Sequence, residues 1–162
     1  MNLGLSKELK AAFSDILPVQ RPLVNNQEIM DPNWLAGFVS GEGCFYIKIR
    51  KLSNYRRGVE LVFKLSQHSR DEQLMKSLIK YLNCGNMYSA REEVDFIVTK
   101  FSDLTDKIIL LFQKYPIQGV KHLDFLDFVK VAEIMKEKGH LTERGLDQII
   151  KIKAGMNQGR KY

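Results

Sequence analysis

Glu42 is the one ionisable side chain in the ten-residue stretch Trp34-Leu35-Ala36-Gly37-Phe38-Val39-Ser40-Gly41-Glu42-Gly43. The apolar spacing predicts a helix that ends on this carboxylate, and a strand-like run begins at Cys44 with no room for a loop. Glycine in a helix costs about 1 kcal/mol against alanine, so three glycines in seven positions need a reason. Gly37 and Gly41 are four residues apart and open one face to the close approach of another backbone. Gly43 falls where a left-handed C-terminal cap is expected. Asp31 is the expected N-cap, with Pro32 at the first helical position. An acid at a helix C-terminus is mildly destabilising by itself. It makes sense beside a hard cation such as Mg²⁺ or Ca²⁺, which takes oxygen ligands, here Glu42 and the unpaired carbonyls of the helix C-terminus. One carboxylate is too few for a tight site. Two such helices packed through their glycine faces bring two carboxylates together and leave room for water and phosphate oxygens, a layout for metal-assisted phosphodiester hydrolysis. A buried helix pair with a solvated glutamate at its end fits the same spacing.

These residues need elements to hold them, and the hydrophobic period alternates along the chain between that of a helix and that of a strand. Residues 6–15 form a short amphipathic helix with Leu9, Ala12 and Phe13 on one side, and an extended segment from Pro18 to Met30 leads to the glycine-spaced helix. Phe45, Ile47 and Ile49 alternate with Tyr46, Lys48 and Arg50 in the next strand. After a polar tip at 53–58, Leu61, Phe63 and Leu65 alternate with Glu60, Val62, Lys64 and Ser66. A helix over 70–82 carries Leu74, Leu78 and Leu82 and stops at Asn83 and Gly85. A second hairpin pairs 86–90 with 94–101. Ser102 then caps a helix to Lys114, stopped by Pro116, and two more helices cover 119–138 and 142–156. The order predicts an α+β fold, with four antiparallel strands backed by helices. Residues 1–30 read as an N-terminal helix and linker-like extension, and 31–162 as a single domain.

The chain has 162 residues, enough for one domain with a core, and 44% of them are apolar. A formal charge of +6 favours a polyanion over a neutral small molecule. Between Gly43 and Val59 lie five basic residues (Lys48, Arg50, Lys51, Arg56, Arg57) and no acid. A sheet face carrying tyrosine and cations suits the DNA major groove. The outward positions expected to contact DNA are Tyr46, Lys48, Arg50, Lys64, Ser66 and Thr99. Glu60 or Asp95 could accept from cytosine N4, and Lys51, Arg56 and Arg57 at the tip suit phosphates. An ordinary solvated face is the alternative. No run approaches the roughly 18 apolar residues of a membrane span, and the N-terminus lacks the apolar core of a signal peptide. Cys44 and Cys84 have no Cys-x-x-Cys spacing, and His68, His122 and His140 no ligand spacing, so neither a disulfide framework nor a zinc site is indicated.

Leu35-Ala36-Gly37-Phe38-Val39-Ser40-Gly41-Glu42-Gly43 resembles, position for position, the signature of the LAGLIDADG homing endonucleases. The likeness extends through the following strands, Gln67-His68-Ser69-Arg70-Asp71 and Gly119-Val120-Lys121, and is similar to the second half of two-motif members from fungal organellar introns. Glutamate in place of the commoner aspartate is a family option. The resemblance implies the αββαββα fold with a four-stranded DNA-reading sheet, and a site-specific, metal-dependent double-strand break with short 3′ overhangs. It implies Mg²⁺ as cofactor, with Ca²⁺ or Mn²⁺ substituting for binding, and an interface through Leu35, Gly37, Phe38 and Gly41. By the same resemblance Gln67 orders active-site water and Lys121 lies near the scissile phosphate, joining Glu42 as catalytic residues. A mitochondrial or other organellar setting follows from the family alone.

One departure matters. A single motif is visible, so cleavage requires a homodimer and a palindromic or near-palindromic target. Met1-Asn2-Leu3-Gly4 echoes Met156-Asn157-Gln158-Gly159, and the chain reads as an isolated or engineered half joined to its former linker. Two rivals stand beside this reading: a splicing maturase that binds its intron RNA, and a DNA-binding half-domain without cleavage.

Overall fold

The computed structural model describes residues 6–16, 29, 31–51 and 57–160, with only the backbone of Arg57. After the short helix α1 (Lys7–Ala12), which buries none of its residues, the fold is organised around α2 (Pro32–Glu42). Asp31 accepts a hydrogen bond from the Asn33 amide at 2.8 Å, and Pro32 sits in the first turn, as the capping pattern requires. Leu35, Ala36 and Val39 turn into the core.

Strand β1 (Gly43–Lys51) follows with no intervening loop. Gly43 is not left-handed as expected: its φ of −73° and ψ of 153° are those of extended chain. Glycine is needed there for space. A Cβ would lie 2.6 Å from Val39 Cγ1 and 2.7 Å from the Val39 carbonyl oxygen.

β1 pairs antiparallel with β2 (Arg57–His68), placing Phe45 opposite Phe63 and Ile47 opposite Leu61. β3 (Asn86–Ser89) and β4 (Glu93–Val98) complete a four-stranded sheet of order β1-β2-β4-β3. The expected alternation holds, with one exception. Val62, on the outward face opposite Tyr46, is fully buried. β4 ends at Val98 rather than Phe101, because Phe101 opens the next helix, and Lys100 rather than Ser102 is its N-cap.

The helices back the apolar face. α3 (Glu72–Leu82) starts after a 3-10 turn at Ser69–Asp71 and buries Met75, Leu78 and Leu82. It ends at Asn83, whose φ is 50°. α4 (Phe101–Asp103) and α5 (Leu110–Lys114) are joined by a π-helical stretch, Leu104–Ile109. α6 (Val120–Lys136) and α7 (Glu143–Ala154) follow. Phe45 of β1 stacks on Phe63 at 4.9 Å and meets Phe125 and Phe128 of α6 edge-on at 5.3 Å each. Each such pair adds about 0.5–1.5 kcal/mol beyond area burial, so β1 and α6 are locked together three residues past Glu42. Ile29 joins this core. Among the described residues no helix is long and apolar enough to cross a membrane.

Candidate functional site

The end of α2 and the start of α6, about eighty residues apart in sequence, meet at Gly41, next to Glu42. Ser40 donates its hydroxyl to the Ala36 carbonyl at 2.7 Å and accepts the Gln118 amide at 2.9 Å. Gly119, at φ 67°, then turns the chain into α6. Lys121, in the first turn, donates its ammonium to the Gly41 carbonyl at 2.6 Å. Glu42 itself is exposed. The register puts Gly43 opposite Leu65, so half-buried Gln67 lies two residues further along β2 at the same end of the sheet.

The oxygens here are hard donors. Glu42 offers a carboxylate, and the Gly41 carbonyl has a second lone pair beyond the one Lys121 engages. Burial pushes the Cys44 thiol up from its ordinary range, Asp124 adding to the effect and Lys121 opposing it, so no soft thiolate is on offer at neutral pH. Among the described residues no group of three or more His, Cys, Asp or Glu side chains could enclose a metal. Glu42 and the Gly41 carbonyl are the oxygens here that could hold a hard divalent cation, in an open site.

Among the described residues nothing covers the outer face of α2. Trp34 is 46% exposed and stacks on Phe38 at 5.2 Å, and a methyl group added to Gly37 or Gly41 would meet nothing within 4 Å. Three of the four expected interface residues, Gly37, Phe38 and Gly41, lie on or beside this face. Leu35 does not. It is fully buried in the core of its own chain, because its position one residue along from Trp34 turns it to the opposite side. Trp34 was missed, although its spacing of three to Gly37 and four to Phe38 marks it.

On the outward face of the sheet the expected contacts are organised into pairs. Lys64 holds Asp95 at 2.7 Å, and Ser66 donates to the same carboxylate at 2.6 Å. The hydrogen bond to Asp95 holds the Lys64 ammonium above its ordinary value. Arg50 pairs with Glu60 at 2.5 Å, and Lys48 lies over the Tyr46 ring at 5.8 Å. Glu60 and Asp95, expected to accept from cytosine N4, are engaged by neighbouring cations in the folded chain. Lys51 is exposed at the end of β1, and Thr99 is exposed just past β4. Arg56 lies outside the described residues, and of Arg57 only the strand backbone is described. A cavity of about 370 Å³ beside β1 is lined by residues of both its faces (Tyr46, Lys48 and Arg50 with Ile47 and Ile49) and by Lys153, Met156 and Asn157, so α7 brings a cation to the β1 edge that strand alternation could not reveal.

With the geometry established, similarity to known proteins is informative. A family model described as LAGLIDADG endonuclease matches residues 35–132. Probable intron-encoded endonuclease 2 of Neurospora crassa is 40% identical over 165 residues, covering 94% of this chain and 35% of that protein. The crystal structure of the I-SmaMI LAGLIDADG homing endonuclease bound to cleaved DNA matches with a TM-score of 0.89 and 46% identity, covering 99% of this chain and 55% of that one. I-SmaMI bound to an uncleaved DNA target in the presence of calcium ions matches with a TM-score of 0.86 and 46% identity, over 96% and 54% of the two chains. The chain thus spans about a third of the curated relative and about half of the solved one.

Proposed function

The chain belongs to the LAGLIDADG endonuclease family, and from that premise we propose that it is the DNA-cleaving unit of a site-specific endonuclease, acting as a homodimer on a palindromic or near-palindromic duplex. The observation that carries this reading is the uncovered Trp34–Gly41 face of α2, which ends on exposed Glu42 with Lys121 beside it. Two copies packed through this face bring their Glu42 carboxylates together at the two-fold axis, beneath the DNA minor groove. A bound Mg²⁺ supplies Lewis acidity and a water of lowered pKa. Glu42 and the Gly41 carbonyl hold that ion, Ca²⁺ or Mn²⁺ substituting for binding. Gln67 orders the attacking water. Lys121, poised by its hydrogen bond to the Gly41 carbonyl, meets the charge that grows on the scissile phosphate. The sheet of each copy reads one half-site through Tyr46, Lys48, Arg50, Lys64 and Ser66. The Asp95 and Glu60 partners keep their cations in fixed poses until a base edge displaces or joins them. The relative's name records intron encoding, which supports an organellar intron as the origin.

A second reading has its own support. The solved relatives are nearly twice as long as this chain, and the rest of their length leaves room for a somewhat shorter companion unit of different sequence that supplies the other carboxylate. One experiment separates the two. The protein and its Glu42→Gln variant are incubated with a library of inverted-repeat and asymmetric duplexes, with Mg²⁺ and in parallel with Ca²⁺, and newly made ends are sequenced. Palindromic ends that need Mg²⁺ and Glu42 support the homodimer. Half-site binding without cleavage favours the companion unit. Neither binding nor cleavage at low salt sinks both.

A further inference from the structure

We propose that the C-terminal turn, Asn157–Arg160, is a positioning clasp that holds α6 against β1 and so keeps Lys121 on the Gly41 carbonyl beside Glu42. This rests on the cleavage role proposed for Lys121. The clue is Asp124, the one charged residue among those described that is buried, at 5% exposure. It lies one helical turn past Lys121 on the same side of α6. Its Oδ1 accepts three hydrogen bonds, all from the C-terminal turn: Arg160 Nη2 at 2.7 Å, Arg160 Nε at 3.2 Å and the Asn157 amide at 3.0 Å. Arg160 Nη2 also donates to Asp127 Oδ2 at 2.8 Å.

The other end of the clasp reaches β1. Asn157 donates its side-chain amide to the Phe45 carbonyl at 3.0 Å, three residues past Glu42. Its backbone is left-handed, with φ 53°, a conformation asparagine tolerates better than most residues. Met156, just before it, is buried in the core and pins the turn. Four residues therefore bridge the strand that follows Glu42 and the helix that carries Lys121. Without Arg160, Asp124 would be a buried carboxylate lacking a cation, which is strongly destabilising. The relief open to it is to tilt that turn of α6 toward water. Lys121 sits one turn away, so the tilt draws its ammonium off the Gly41 carbonyl and strains the Gln118–Ser40 hydrogen bond.

The test uses the full chain with Arg160→Ala, Arg160→Lys and Asn157→Gly. The last removes the arm to Phe45 without backbone strain, and serves if Arg160→Ala does not fold. Two readouts are made well below the melting temperature. By NMR, exchange of the Gln118 amide, which needs no cleavage, is expected to quicken about tenfold or more in Arg160→Ala and to recover in Arg160→Lys. Single-turnover cleavage at saturating DNA is expected to fall by about 10²-fold in Arg160→Ala with DNA affinity unchanged. In a Lys121→Met background the same substitution should cost almost nothing more, since the clasp acts through Lys121. Unchanged Gln118 exchange, or an undiminished loss in the Lys121→Met background, overturns the proposal. If the wild-type chain does not cleave at all, the proposed function is at fault, and the exchange data alone decide whether the clasp holds α6.

Discussion

On one side of α2, Leu35, Ala36 and Val39 are no more than 4% exposed, and on the other Trp34 is 46% exposed while Gly37 and Gly41 meet no neighbour. Both sides are apolar or small, and hydropathy alone does not tell them apart. The inner side folds the chain: it packs β1 and the phenylalanines behind it, and its burial stabilises the domain. The outer side reaches that core through partly buried Phe38 and is otherwise exposed. Its stacked Trp34–Phe38 pair and its glycine track have the character of a surface kept for another helix. Residues one position apart in a helix therefore answer to different requirements, one set by folding and the other, on the proposed function, by assembly.

Substitutions can separate the two. The largest effect is expected from Leu35→Ala, which should cost about 2–5 kcal/mol of domain stability in urea unfolding, through lost burial and a cavity. A cost below about 1 kcal/mol would mean that the inner face is not the folding face. Trp34→Ala should leave the unfolding midpoint nearly unchanged but weaken self-association by about 2 kcal/mol, or roughly thirtyfold, in sedimentation equilibrium. If association is untouched, the outer face is not the pairing surface. Gly37→Ala sharpens the contrast with a gain. The added methyl group meets nothing, and helix propensity should raise domain stability by about 0.5–1 kcal/mol, while the wider track weakens pairing. A loss of stability would show that the track is already covered within the chain.

The smallest effect should come from a carboxylate on neither face. Burial alone would raise the Asp127 carboxyl, but hydrogen bonds from Lys130 and Arg160 outweigh it and hold the group below its ordinary value of 3.8. A lowered folded value means stability that is present above the unfolded pKa and lost as pH falls through the folded one. Wild-type stability should therefore decline more steeply below about pH 4 than that of Asp127→Asn, with both curves parallel above it. Acid titrations that run parallel throughout would show that the contacts of Asp127 do not stabilise the folded state.

Much of this was legible in the residues. Capping at Asp31 and Pro32, the run from helix directly into strand, the alternation of Phe45, Ile47, Leu61, Phe63 and Leu65, and the stop at Asn83 are local effects, and local spacing records them. Lys121 was legible only through family resemblance. A lysine that opens a helix carries no sign of the carbonyl it will reach, and that carbonyl is about eighty residues away in the chain. Misreadings had similar causes. Leu35 was assigned outward because helical spacing gives faces but not which face meets the core. Gly43 was expected to cap left-handed because spacing cannot show that Val39 lies against it. The ion pairs of Glu60 with Arg50 and of Asp95 with Lys64 were not legible, because cross-strand partners depend on register.

The sequence by itself determined the elements, their order, the two-faced sheet and the single carboxylate at the end of a glycine-spaced helix, because each depends on the period and type of neighbouring residues. Only the tertiary structure decided what each functional group faces. It brought Lys121 to Gly41, engaged Lys64 with Asp95, left Trp34 uncovered and joined β1 to α6 through Asp124, Asn157 and Arg160. Those contacts join residues far apart in the chain, and they exist only once the core has set the distances between the elements.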